Sequence, residues 1–167
     1  MTLVLRILYC LPILLLPLHV EEVNAKGMCL YLSEAIATWF NALIACQKQF
    51  MCLADLDTEV TLIQMEAKVP HNDHGYWFGL NAHEKTGYRY ASNNRSIEYS
   101  PVSSNLLNDG GCAYVKHDDG FYKFLSASCD AKKRFICTMA EECDGVSMRP
   151  KKPLCVISHE EKEIVAY

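Results

Sequence analysis

With 167 residues, half of them apolar, the chain has material for one domain with a true core and too little for two. Sixteen Lys and Arg against twenty Asp and Glu leave a net charge of −4 with no basic block, which sets nucleic-acid binding aside. A charged fraction of 22% with six Pro and eight Gly argues against a mostly disordered or fibrous chain, whereas nine Cys are out of the ordinary.

The first segment explains the cysteines. Arg6 precedes an apolar run from Ile7 to Val20, and Val23-Asn24-Ala25 supplies the small or branched residues that a signal peptidase inspects, so residues 1–25 read as a cleaved signal peptide. The run is shorter than the roughly 20 residues needed to cross a bilayer and contains Pro12 and Pro17, so no membrane span is expected in the mature protein. Cleavage removes Cys10 and sends eight cysteines into an oxidising compartment. An even count there implies disulfides in a secreted, extracellular protein.

The front of the mature chain reads as helical. Thr38 can cap a helix on which Trp39, Ala42, Leu43 and Cys46 recur at i, i+3, i+4 and i+7, placing a cysteine on the buried stripe. A second helix is expected from Asp57, whose carboxylate can accept from the first N–H groups, with Val60, Ile63 and Ala67 on its inner face and Pro70 as its stop. Beyond Pro70, strands are expected at Tyr76 to Leu80, Tyr88 to Ala91, Cys112 to Lys116, Phe121 to Leu125 and Arg134 to Thr138, with Asp119-Gly120 as a hairpin turn. The piece from Ser92 to Gly111 is rich in Asn, Ser and Gly and has no regular apolar repeat; a long irregular segment of this kind points to a functional loop.

Trp39-Phe40-Asn41-Ala42, Cys46, Leu53-Ala54, Trp77-Phe78-Gly79-Leu80, Cys112-Ala113-Tyr114-Val115, Cys129 and Arg134-Phe135-Ile136-Cys137 follow one another in an order and spacing that resembles the C-type lectin-like domain. The resemblance covers about residues 28 to 139, and divides the chain into a leader (1–25), the domain (26–139) and a C-terminal tail (140–167), disulfide-closed or disordered. It implies an α+β double-loop fold with two helices, small antiparallel sheets and a long ligand-bearing loop, which falls at Ser92 to Gly111. It also implies the pairs Cys46–Cys137 and Cys112–Cys129. Of the remaining four cysteines, Cys29 with Cys52 and Cys143 with Cys155 are favoured because each closes a short loop; Cys29 with Cys143 is the rival.

In calcium-dependent sugar binders of the family, a Glu-Pro-Asn or Gln-Pro-Asp triplet on the long loop and a Trp-Asn-Asp triplet later on supply the oxygen ligands. Here the loop reads Ser100-Pro101-Val102-Ser103-Ser104 and the second triplet is Phe124-Leu125-Ser126. Calcium needs six to eight oxygens, so no calcium site and no other cofactor is expected. Asn105, Asn108 and Asp109 are the candidate ligand-binding residues for a glycan or glycoprotein, although the same side chains can satisfy the loop's own backbone through Asx turns. Asn81 and Glu98 are further candidates. His71, Asp73 and His74 have a spacing that could seat zinc, but without a fourth ligand or a supporting helix they read as solvated loop residues. No nucleophile elbow surrounds any Ser, and an even cysteine count leaves no thiol nucleophile, so no enzymatic activity is expected. Asn94-Arg95-Ser96 is an N-glycosylation acceptor. The expected function is calcium-independent binding of a glycan or glycoprotein; protein recognition without sugar affinity is the alternative, and the oligomeric state is open.

Overall fold

The computed structural model describes residues 29–107 and 111–149. The leader 1–25, Asn108, Asp109 and Cys155 lie outside the described residues. In chain order the elements are β1 (Leu30–Leu32), α1 (Trp39–Gln47), β2 (Cys52–Leu53), α2 (Glu59–Glu66), β3 (Gly75–Asn81), β4 (Arg89–Tyr90), β5 (Cys112–Asp118), β6 (Phe121–Ala127), β7 (Arg134–Thr138), β8 (Glu142–Cys143) and β9 (Val146–Ser147). The main sheet runs β1-β7-β3-β5-β6, with β2 on β7 and β4 on β3, while β8 and β9 form a separate hairpin. Most pairings are antiparallel, and β3 with β7 is a parallel pair.

The period-two alternation of strands divides the core between the two faces of this sheet. Tyr76, Phe78 and Leu80 of β3, Ala113 and Val115 of β5, Tyr122 and Phe124 of β6 and Ile136 of β7 join Leu62 and Met65 of α2 in one cluster. Trp77, Cys112, Phe135 and Cys137, one residue out of phase, pack with Trp39, Ala42, Leu43 and Cys46 of α1 in the other. β3 is therefore buried on both faces. Gly79 in its middle is required by backbone proximity, because a Cβ there would lie 2.9 Å from the Leu53 carbonyl oxygen and 3.1 Å from that of Ala54. The Gly79 N–H donates to the Ala54 carbonyl at 2.8 Å.

Helix α1 follows the sequence expectation: Thr38 accepts from the Asn41 N–H, and the buried stripe is Trp39, Ala42, Leu43 and Cys46. Helix α2 does not. Its N-cap is Thr58, in a reciprocal capping box with Thr61, and its inward residues are Leu62 and Met65, leaving Val60 and Ile63 exposed. Asp57 is engaged elsewhere, in an ion pair 2.6 Å from Arg95. The buried pair lies two residues on from the expected one, about 200° round the helix, so the expected inner face is turned outward.

Cys46 bonds Cys137 and Cys112 bonds Cys129. The favoured pairing of the other cysteines is overturned, since Cys52 bonds Cys143 with a Cα separation of 5.3 Å. The sheet register gives the reason. Leu30 of β1 and Cys52 of β2 both lie opposite Thr138 of β7, so they flank it two strand spacings apart, about 9.5 Å. Cys29, one residue before Leu30, is thus beyond the roughly 7 Å limit for bonding Cys52. The chain after β7 instead turns back over β2, where Gln47 donates to the Cys143 carbonyl at 3.1 Å and the Asp144 N–H donates to the Ala91 carbonyl at 2.7 Å. Consequently the packed unit extends past residue 139: Cys143 and Met148 are buried in the α1-side core.

Cys29 is likewise disulfide-bonded. Non-reducing peptide mapping is expected to return Cys46–Cys137, Cys112–Cys129 and Cys52–Cys143. Recovery of a Cys29–Cys52 or Cys143–Cys155 peptide would contradict the register of β1, β2 and β7.

Candidate functional site

The irregular segment after β4 first folds back on itself. The Tyr90 N–H donates to the Arg95 carbonyl, the Asn94 N–H to that of Tyr90, and the Ile97 N–H to that of Tyr88. Ile97, Tyr99 and Leu106 then anchor the segment on the α2-side core. Its far end is stitched along β6: the Phe124 N–H donates to Ser104 Oγ at 3.0 Å, the Asn105 N–H to the Phe124 carbonyl at 2.8 Å, and the Leu107 N–H to Ser126 Oγ at 3.1 Å. The Tyr88 hydroxyl adds a bond to the Leu107 carbonyl at 2.9 Å. Ser103 sits in the left-handed region at φ 67° and closes a turn in which the Ser104 N–H reaches the Pro101 carbonyl. The result is a projecting tip on which Val102 is 90% exposed and Ser103, Asn105 and Leu107 face solvent.

Of the other residues singled out in the sequence, Asn81 is buried in β3 with its amide turned toward the Arg89 carbonyl, which removes it from any surface site. Glu98 lines a small hollow of about 60 Å³ beside Asp57, Arg95 and Ser96. His71 stacks face to face on His117 at 4.5 Å, and the His74 N–H is taken by Asn72 Oδ1. Among the described residues no three His, Cys, Asp or Glu side chains are gathered for a metal ion. Asn94 is exposed, with φ 56°, so its sequon is accessible.

The structure also brings together residues to which the sequence offered no pattern. Asp55, just after β2, accepts from Ser92 Oγ and, at 3.4 Å, from Asn93 Nδ2, both on Oδ2. Its other oxygen is buried with no hydrogen-bond partner. Burial pushes the carboxyl up to about 6, the Ser92 bond opposes this, the neighbouring Asp57 charge adds to it and Arg95 works against it. Next to this group a cleft of about 490 Å³ opens between Lys85, Ser92, Asn93 and Asn94 on one side and Glu142 and Asp144 of the C-terminal hairpin on the other. Burial lowers the Lys85 pKa, and Asp144 partly restores it.

Residues 36–139, well over half of the chain, match the Lectin C-type domain family. The chain belongs to the C-type lectin family. Rat regenerating islet-derived protein 3-beta is 24% identical over 124 residues, covering 65% of this chain and 69% of that protein. Among solved structures, the C-type lectin domain of murine dendritic cell inhibitory receptor 2, in complex with an N-glycan, superposes with a TM-score of 0.59 at 13% identity, covering 68% of this chain and 91% of that one. A calcium-independent type II antifreeze protein does so with a TM-score of 0.56 at 19% identity, over 68% and 87% of the two chains. These neighbours include a glycan-bound lectin and a protein of another kind, and at such identities they establish the shared fold.

The described part of this C-type lectin domain does not fit the calcium ligand set of the family's sugar binders. On the long loop Ser104 Oγ accepts the Phe124 N–H, and in the second triplet Ser126 Oγ accepts the Leu107 N–H while Leu125 offers no oxygen beyond its carbonyl.

The Asp55 carboxyl generates a pH-dependent expectation. A folded-state pKa raised from 3.8 to about 6 stabilises the fold fully below pH 3.8, and this contribution is lost as pH rises through 6. Asp55→Asn keeps the shape and the Ser92 contact without the buried charge. In thermal melts it is expected to raise Tm at pH 7.5, by at most about 3 kcal/mol of stability, and to leave Tm at pH 4 nearly unchanged. Equal effects at both pH values would show that the carboxyl does not titrate with folding.

Proposed function

We propose that this chain is a secreted, non-enzymatic recognition module that binds a glycan or glycoprotein through the projecting long loop without calcium. The observation that carries this reading is the stitching of residues 104–107 onto β6 by hydrogen bonds among backbone and serine groups. In a calcium-dependent site the ion both shapes the loop and touches the ligand. Here hydrogen bonds to β6 can shape the described part of the loop in place of an ion, and its outward side chains remain to meet a partner. Asn105 and its neighbours Asn108 and Asp109 carry the polar contacts. C-type lectin domains are generally binding modules, which accords with the lack of a nucleophile pattern.

One feature favours protein recognition as a second reading. Val102 and Leu107 expose apolar surface on the tip, and a patch mixing aliphatic and amide groups suits a protein surface as well as the apolar face of a sugar ring.

A glycan array run with calcium and again with chelator separates the two readings. Binding that is equal under both conditions is expected, and an array with no signal would move the assignment to protein recognition. Millimolar calcium is expected to leave Tm within about a degree, because stabilisation follows RT ln(1 + [L]/Kd) and vanishes when Kd is far above the ion concentration. A rise of several degrees would place a calcium site on this chain.

The loop itself is tested by replacing Asn105, Asn108 and Asp109 together with Ala. Binding to the array ligand, or to a partner isolated for the parent, is expected to fall at least tenfold, while stability shifts by about 0.5 kcal/mol. Unchanged binding would move the site away from the loop.

A further inference from the structure

Helix α1 is amphipathic in an uncommon way: its outer side is also largely apolar. Ile36, just before the helix, is 62% exposed, Phe40 38% and Ile44 47%. From Trp39 to Gln47 the helix carries no charged residue, and nothing among the described residues covers this row. Phe40, Ile44 and Lys48 follow at i, i+4 and i+8, so they form one ridge along the helix. The Phe40 ring is held edge-on between Trp39 at 5.3 Å and His83 at 5.1 Å, and is thus presented in a fixed pose. A preordered aromatic loses little side-chain entropy on binding.

We propose that this ridge is where two copies of the chain pair about a twofold axis. Charge placement selects a second copy as the occupant. Exposed Glu34 precedes the apolar row and exposed Lys48 ends it. In an antiparallel pair with the axis near Phe40, Ile36 of one copy approaches Ile44 of the other, and Glu34 approaches Lys48 at both ends. The interface is self-complementary, as a closed dimer requires, and the uncharged helix brings no like charge to its centre. Ridges of i±4 residues interlock at about −50°, and the helix is short, so the long Glu and Lys side chains are left to span the separation at the two ends. A single helix ridge falls short of the roughly 800 Å² per partner of a standard stable interface, so the dimer is a reversible one.

Sedimentation equilibrium of the oxidised, full mature chain from about 1 µM to 1 mM tests this. A monomer–dimer equilibrium is expected within that range. A chain that stays monomeric throughout overturns the proposal and leaves the ridge to a different partner. Ile44→Asp is expected to raise the dimer dissociation constant at least tenfold with Tm close to the parent value; an unchanged constant would place the interface elsewhere. Glu34→Lys and Lys48→Glu are each expected to weaken the dimer about fivefold, since the axis repeats each pair. The double reversal restores the cross pairs, so its constant is expected to return to within about twofold of the parent. Failure of the double reversal to recover would refute the antiparallel arrangement.

Discussion

The two-sided burial of β3 is the constraint on which the rest depends. A strand covered on both faces needs a cover for each, and the two helices supply them: α1 over Trp77, α2 beneath Tyr76, Phe78 and Leu80. The indoles fasten α1 and its approach to the strand in both directions. Trp39 Nε1 donates to the Phe78 carbonyl, and Trp77 Nε1 donates to the Ala37 carbonyl, each at 2.9 Å. Each bond satisfies a buried indole donor and a backbone acceptor that would otherwise be costly to desolvate. At Gly79 the strand approaches the backbone at Leu53 and Ala54 so closely that only a hydrogen fits. The Trp-Phe-Gly-Leu sequence is thus a packing instruction: two large residues for two faces, and a gap for a neighbouring chain.

The disulfides repeat that arrangement covalently. Cys46–Cys137 and Cys52–Cys143 have the same sequence separation, 91 residues, and begin and end six positions apart. They run side by side, tying α1 and β2 to β7 and β8. Each closes a loop whose chain-entropy effect is about 4 to 5 kcal/mol in the unfolded state. The two are not independent, since once one is closed the second closes only a small remaining loop. The C-terminal hairpin is held by the second bond and brings Glu142 and Asp144 to the cleft beside Asn94.

What was legible in the sequence was whatever had a strong local period. Helix α1 has a full stripe and a hydroxyl cap, and both emerge as expected; β7 is a continuous apolar run between polar ends and keeps its expected bounds. Helix α2 misleads because it carries apolar residues on two sides, Val60 and Ile63 on one and Leu62 and Met65 on the other, and only the packing against β3 decides between them; its expected cap Asp57 pairs with Arg95, 38 residues away. Short strands such as β1 and β2 are defined by their partner in β7, and no period is visible in two or three residues. The same holds for cysteine pairing, where loop length favoured near neighbours and the interposed strand β7 forbids one of them. At the candidate site, the irregularity of the loop could be read, whereas the use of Ser104 and Ser126 as loop fasteners and the isolated Asp55 carboxyl depend on contacts between distant segments.

The order of strands also determines how the domain presents its loop. The described chain begins at β1 on one edge of the sheet, whereas after β7 it closes the β8–β9 hairpin beside β2, with the Met148 N–H bonded to the Glu141 carbonyl. The loop is attached beyond β6, at the opposite edge. Five strand spacings separate the two, roughly 20 to 25 Å. The edge that β1 closes is therefore the one farthest across the sheet from the segment that carries Val102.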